Sequence, residues 1–356
     1  MHVNRIVKVL VVDDSAYVRK MVTQMLSRSP FIEVVGTARD GRDALALAEE
    51  LDPDVITCDL NMPEMDGVAF VREQMSRRPT PIVIISVASH TAERVLAAFD
   101  AGAVDVVQKP TALASDTLLE VADELLEKVK AAALAPMRTV FAGSVSRAAA
   151  PAPSRIVAPA RLGAGGRGNV DIVVIGISTG GPQGLRVVIP QLPTEIAVPI
   201  AVVLHMPLGY TQMYAEKLNE ACELTVKEAT EGDELRPGVV LIAPAGRHLL
   251  FRRHGSRVVA HLDLRPLDTP HRPSVDVLFQ SAAETFGSRT LAIVMTGMGS
   301  DGKQGAAWVK AQGGRVLTEA EESCVVYGMP RAVVEAGLSD ASVTLDHMAD
   351  AIVERL

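Results

Sequence analysis

The segment VVIGISTGGPQGL, residues 173–185, is the stretch on which the fold turns. An apolar, β-branched run ends in Gly176-Ile177-Ser178-Thr179-Gly180-Gly181, and a helix-like stretch follows. Strand, tight glycine turn and helix in that order open a βαβ unit. Two chemistries share this outline. One is a glycine-rich loop that cradles a phosphate; the other is a nucleophile elbow, which Gly-x-Ser-x-Gly fits literally. Gly-x-Gly-x-x-Gly is absent, and no Lys occupies the P-loop position. A serine at a helix entry is also an ordinary N-cap, so the motif alone leaves the role of Ser178 open.

Working outward, the same alternation recurs. After residue 169, strand candidates are DIVVIGIS, IAVVLHM, GVVLIAP, RVVAHL and LAIVMTG. They predict a doubly wound α/β domain over 170–356, with an antiparallel portion around 239–264. Before residue 125, the runs VKVLVVDD, IEVVGTA, DVITCDL, PIVIISV and AVDVVQK alternate with amphipathic stretches. Five βα units over residues 5–125 predict a five-stranded parallel sheet of flavodoxin-like α/β type, with helices on both faces.

Residues 131–169 stand apart. They hold twelve Ala, five Gly, four Pro and five Arg, with no Asp or Glu, and read as a flexible basic linker. The flanks are acidic: net −7 over residues 1–130 and −6 over 170–356, in a chain of net charge −8. Such a balance argues against sequence-independent binding to nucleic acid or to an anionic membrane. Cys58, Cys222 and Cys324 show neither zinc spacing nor a disulfide framework, which suits the reducing cytoplasm. No run is long and apolar enough to span or insert into a bilayer.

In a parallel sheet, chemistry collects beyond the carboxyl ends of the strands. In the first half, Asp13 and Asp14 end the first strand, Asp59 the third, Ser86 the fourth and Lys109 the fifth. Three converging carboxylates imply a divalent cation, and all-oxygen ligation favours Mg²⁺. A lysine and a hydroxyl opposite them suit a phosphoryl group, with Asp59 as acceptor. VLVVDDSAYVRKM, PDVITCDLNMPEMDG, PIVIIS and VQKP together resemble the receiver domain of response regulators. The resemblance implies phosphorylation of Asp59 by a histidine kinase. It implies Mg²⁺ held by Asp14, Asp59 and the main-chain carbonyl of Asn61, with Asp13 supporting. Ser86 and Lys109 would sense the phosphoryl group, and Lys109-Pro110 would be a cis peptide.

In the second half, His205 ends the strand of IAVVLHMPLGYT, and Asp301 lies in the glycine-rich turn of LAIVMTGMGSDG. With Ser178 they sit at three carboxyl strand ends and can converge on one crevice. His205 would act as base toward Ser178, Asp301 would orient His205, and the 297–299 turn offers amides to an oxyanion. His248, His254, His261 and His271 compete with His205, but none follows so clean an apolar strand. The chain order Ser, His, Asp is not that of α/β-hydrolases. IGISTGGPQGL, LHMPLGYT, APAGRHLL, HRPSVDVLF and MTGMGSDG resemble the chemotaxis protein-glutamate methylesterases. That resemblance implies a nucleophile at Ser178, a base at His205, a third member at Asp301 and an oxyanion amide at Met298, with no cofactor in the second domain. It implies hydrolysis of glutamate γ-methyl esters, and deamidation of glutamines, on methyl-accepting chemotaxis receptors. A phosphorylation-controlled binding module without catalysis, and a DNA-binding regulator, are the other readings. The intact Ser178, His205 and Asp301 weigh against the first, and the acidic second half against the second.

Overall fold

The computed structural model describes residues 5–86, 92–109, 115–135 and 170–356. In the first domain, β1 (Val7–Val12), β2 (Ile32–Ala38), β3 (Val55–Cys58), β4 (Ile82–Ser86) and β5 (Asp105–Gln108) form one parallel sheet in the order β2-β1-β3-β4-β5. Helices α1 (Ala16–Leu26), α2 (Gly41–Leu51), α3 (Gly67–Arg77), α4 (Ala92–Asp100) and α5 (Ser115–Ala132) alternate with the strands. Both faces of the sheet are covered, so β3 and β4 are buried along their whole length. Short polar side chains start the helices: Asp40 accepts from the amides of Arg42 and Asp43, and Asp66 from that of Ala69, each at 2.9 Å.

Helix α5 runs two residues into the segment expected to be linker. Ala131 and Ala132 are buried against the receiver core, so the alanines continue the helix. Positions 136–169 lie outside the described residues, as does the expected cis bond at Lys109-Pro110.

The second domain is built on a seven-stranded parallel sheet: β6 (Ile172–Ile177), β7 (Ile200–Leu204), β8 (Thr225–Glu228), β9 (Val239–Ile242), β12 (Thr290–Val294), β13 (Arg315–Glu319) and β14 (Ala341–Val343). Their order is β14-β13-β12-β6-β7-β9-β8. Strands β10 (His248–His254) and β11 (Arg257–Asp263) make a separate antiparallel hairpin. The antiparallel portion is thus narrower than the sequence suggests, because β9 pairs in parallel with both β7 and β8. The helices are α6 (Gly181–Val188), α7 (Thr211–Glu220), α8 (Val275–Phe286), α9 (Lys303–Ala311), α10 (Met329–Glu335) and α11 (Met348–Val353).

The sheet grows outward in both directions from β6, with β12 on one side and β7 on the other. Such a reversal of strand order opens a crevice beyond the carboxyl ends. The first domain packs over this edge. Gly180 N donates to Val104 O at 3.1 Å, Gln183 donates to the carbonyl of Ala103, and Asp100 pairs with Arg186 and with Lys217. Val325 and Val326 of the second domain pack in the same apolar cluster as Ala131 and Ala132 of α5.

Candidate active site and phosphoacceptor pocket

Ser178 follows β6 directly. Its amide donates to Thr296 O at 2.9 Å, which fixes the turn against the end of β12. The turn is tight because glycine allows it. Gly180 sits at φ +78°, and a Cβ on Gly297 would lie 2.7 Å from the Ser178 Cβ. His205 follows β7, its own amide donating to Ile177 O at 3.1 Å. Asp301 lies in the turn between β12 and α9. The structure brings these three strand ends to one place: His205 Nε2 is 2.9 Å from Asp301 Oδ2.

Asp301 is held from several sides. Its Oδ1 accepts from Ser274 Oγ at 2.9 Å, Asp276 N at 2.9 Å and Gly302 N at 3.0 Å, and its Oδ2 from Val275 N at 2.8 Å. Three of these donors form the amino end of α8, where a carboxylate meets free amides and the positive end of the helix dipole. Burial opposes the charge, but the hydrogen bond and charge of His205, together with these amides, hold the Asp301 carboxyl below the usual range. Asp276 repays the arrangement: its Oδ1 accepts from Gly302 N and Gly305 N at the start of α9. Burial, and Asp301 beside it, push the Asp276 carboxyl upward.

With Nε2 committed to Asp301, His205 Nδ1 is buried without a hydrogen-bond partner among the described residues. Ser178, His205 and Met298 line one cleft of about 850 Å³. The Met298 amide makes no hydrogen bond to another described residue, whereas the Gly297 amide is spent on Val326 O at 3.0 Å. His271 stacks on the His205 ring, centroids 4.2 Å apart and planes 29° from parallel. Desolvation of the stacked imidazole and the neighbouring His205 push the His271 pKa down to about 4. The far wall of the cleft belongs to the first domain, with Gln108 and the α5 residues Asp123, Glu124, Glu127 and Lys128.

In the receiver sheet, the carboxylates of Asp13, Asp14 and Asp59 offer oxygens within 4.8 Å of one another. Asp13 and Asp59 are buried and Asp14 is exposed. Lys109 Nζ stands 2.6 Å from Asp13 Oδ2 and 3.0 Å from Asp59 Oδ1. Burial raises the Asp59 pKa while Lys109 pulls it back. Burial also works against the Lys109 charge, but Asp59 and Asp13 prevail and hold its pKa above the usual value. Ser86 is buried at the end of β4, its carbonyl accepting from Lys109 N at 2.7 Å. The Asn61 amide donates to Asp59 Oδ2 at 3.3 Å, and its side chain accepts from Arg94. This all-oxygen set, with its carboxylates converging and one member exposed, fits a hard divalent cation.

Residues 173–352 match the family model described as CheB methylesterase, and residues 9–122 match the response regulator receiver domain. The chain belongs to the CheB methylesterase family. A protein-glutamate methylesterase/protein-glutamine glutaminase of Myxococcus xanthus is 49% identical over 346 residues, covering 96% of each chain. One of Halalkalibacterium halodurans is 43% identical and covers 98% of each. The crystal structure of the CheB methylesterase catalytic domain of Thermotoga maritima is 44% identical. It covers 53% of this chain and 100% of that one, with a TM-score of 0.52. Within this family architecture, sequence reasoning missed Ser274 and Asp276 and weighed His271 only as a rival to His205, although all three lie in HRPSVDVLF, one of the stretches that carried the resemblance. It also missed Thr179, whose hydroxyl donates to Asp105 across the domain boundary.

Proposed function

We propose that this chain is a phosphorylation-controlled, cytoplasmic hydrolase that demethylates glutamate γ-methyl esters, and deamidates specific glutamines, on methyl-accepting chemotaxis receptors. The observation that supports it most is the His205–Asp301 pair in the cleft that Ser178 and Met298 also line. Nε2–H of His205 donates to Asp301, which leaves Nδ1 as the basic nitrogen. Nδ1 takes the proton of Ser178 Oγ as the oxygen attacks the γ-carbonyl carbon. The Met298 N–H receives the oxyanion. Collapse breaks the C–O bond, and His205 returns the proton to the departing methanol; with a glutamine the C–N bond breaks and ammonia leaves. Water then attacks the acyl-serine with His205 again as base; the bond to Ser178 Oγ breaks, His205 returns the proton to that oxygen, and glutamate is released. Asp301 stays ionised throughout, which its ring of amide donors favours.

In the receiver, Asp59 is the acceptor for a phosphoryl group from a histidine kinase. Asp14, Asp59 and the Asn61 carbonyl would hold Mg²⁺, with Asp13 supporting; when bound, the ion neutralises charge on the phosphoryl oxygens. Lys109 and Ser86 meet the new group and pass its presence to the face that covers the cleft. Methanol release from methylated receptor membranes, with and without a small-molecule phosphodonor, tests the reading. Release that rises with phosphodonor is expected, and no release in either condition would overturn it.

A further inference from the structure

Glu319 ends β13 in the core of the second domain, fully buried, yet no step above uses it. A carboxyl in such a place costs stability unless its oxygens are hydrogen-bonded. Both are: Oε2 accepts from Thr296 N at 2.9 Å, and Oε1 from Ser323 Oγ at 3.1 Å. Ser323 is itself tied to Leu345 N at 3.0 Å, so the carboxyl has a fixed anchor behind it.

Thr296 is the residue from which the Ser178 turn hangs. Its carbonyl accepts from Ser178 N at 2.9 Å, and its hydroxyl donates to Thr179 O at 3.0 Å and accepts from Val326 N at 3.0 Å. Two residues further along lies Met298, which lines the cleft and whose amide makes no hydrogen bond to another described residue. Taking Ser178 as the nucleophile, we infer that Glu319 is a positioning residue, holding Thr296 so that Ser178 Oγ and the Met298 amide stand in register. An apolar side chain of the same volume would fill the space but leave the Thr296 amide without its acceptor. Displacing a reacting atom by a fraction of an ångström lowers turnover without weakening substrate binding.

Three variants of the full chain test this: Glu319→Gln, Glu319→Met and Glu319→Asp. The readouts are kcat and KM for methanol release with phosphodonor, and hydrogen exchange of the amides at Ser178 and Thr296. Met at 319 keeps the volume without the acceptor and should lower kcat about 10- to 100-fold with KM unchanged, and should speed exchange at both amides. Gln keeps an oxygen for Thr296 N and a donor for Ser323, and should retain kcat within about threefold. Asp, one methylene short, should behave as Met does, and it decides the matter if the Met variant does not fold. A folded Met or Asp variant with wild-type kcat and exchange, or a Gln variant as slow as Met, would overturn the inference. If the wild-type chain releases no methanol, the proposed function falls, and the exchange comparison alone decides the role of Glu319.

Discussion

Thr179 Oγ1 donates to the Asp105 carboxylate, so the residue next to Ser178 is held by the receiver domain. Asp105 is shared with Lys128 Nζ at 2.9 Å, and Lys128 lines the cleft. The contact continues through Asp100, which Arg186 and Lys217 both reach. These are half-exposed ion pairs, each worth up to about 1 kcal/mol, or roughly fivefold in an equilibrium. Asp100→Ala should therefore raise basal methanol release several-fold and shrink the response to phosphodonor in proportion. Initial rates on methylated receptor membranes decide it; an unchanged basal rate would remove this face from the inhibitory contact.

Ser178→Ala should preserve the fold, since the Ser178 contact that shapes the turn is made by its backbone amide. Methylesterase turnover should fall by several orders of magnitude, and His205→Ala should do nearly the same, because such groups act as a unit. Circular dichroism controls for folding. More than about a tenth of wild-type turnover in either variant would contradict the assignment.

Asp59→Asn should abolish labelling by a phosphodonor and leave basal methylesterase activity measurable. An acyl phosphate on Asp59 is cleaved by hydroxylamine, whereas a serine phosphate is not. Hydroxylamine-labile label persisting on the variant would place the acceptor on a carboxylate other than Asp59.

In the seven-stranded sheet, the strands that were legible in the sequence are buried along most or all of their length. β6, β7 and β12 read as unbroken apolar runs because helices cover them above and below. Strands β8 and β14 were missed because they are short edges, with Val226 the only fully buried side chain between them. β13 was missed for another reason: its end, Thr318-Glu319, is polar yet buried, and only the partners Ser339, Thr296 and Ser323 make that tolerable. The site follows the same division. Ser178, His205 and Asp301 announce themselves at strand ends. Ser274 and Asp276 act through a helix start brought up from elsewhere in the chain, and Thr179 acts on another domain. No local pattern records contacts at such separations.

The buried Glu319 gives a pH prediction with a definite sign. Burial pushes its pKa from 4.5 up to about 7, so the folded state binds a proton that the unfolded chain releases earlier. Stability from this group is complete below the unfolded value and is lost as pH rises toward the folded one, by up to about 3 kcal/mol. Glu319→Gln carries no such proton. Its Tm should match the wild type near pH 4.5 and exceed it increasingly up to pH 8. A constant difference across that range would show that Glu319 titrates normally.

The last prediction concerns control of the cleft. The wall formed by Gln108 and α5 lines the same cleft as Ser178 and His205, so under the proposed function substrate and receiver would compete for one opening. The polar contacts at Asp100, Asp105 and Val104 are individually weak, but a tether keeps the receiver at an effective concentration that reaches the millimolar range for short flexible linkers. A weak interface is then enough to inhibit. On the proposed function, a phosphoryl group adding about two negative charges beside Lys109 and Ser86 would be enough to relieve it. A fragment beginning at Val170 lacks the whole wall and should exceed the basal rate of the full chain, with no response to phosphodonor. Both rates are read as methanol release at matched concentrations of folded protein. A folded fragment no faster than the unphosphorylated full chain would show that the receiver does not restrain the site.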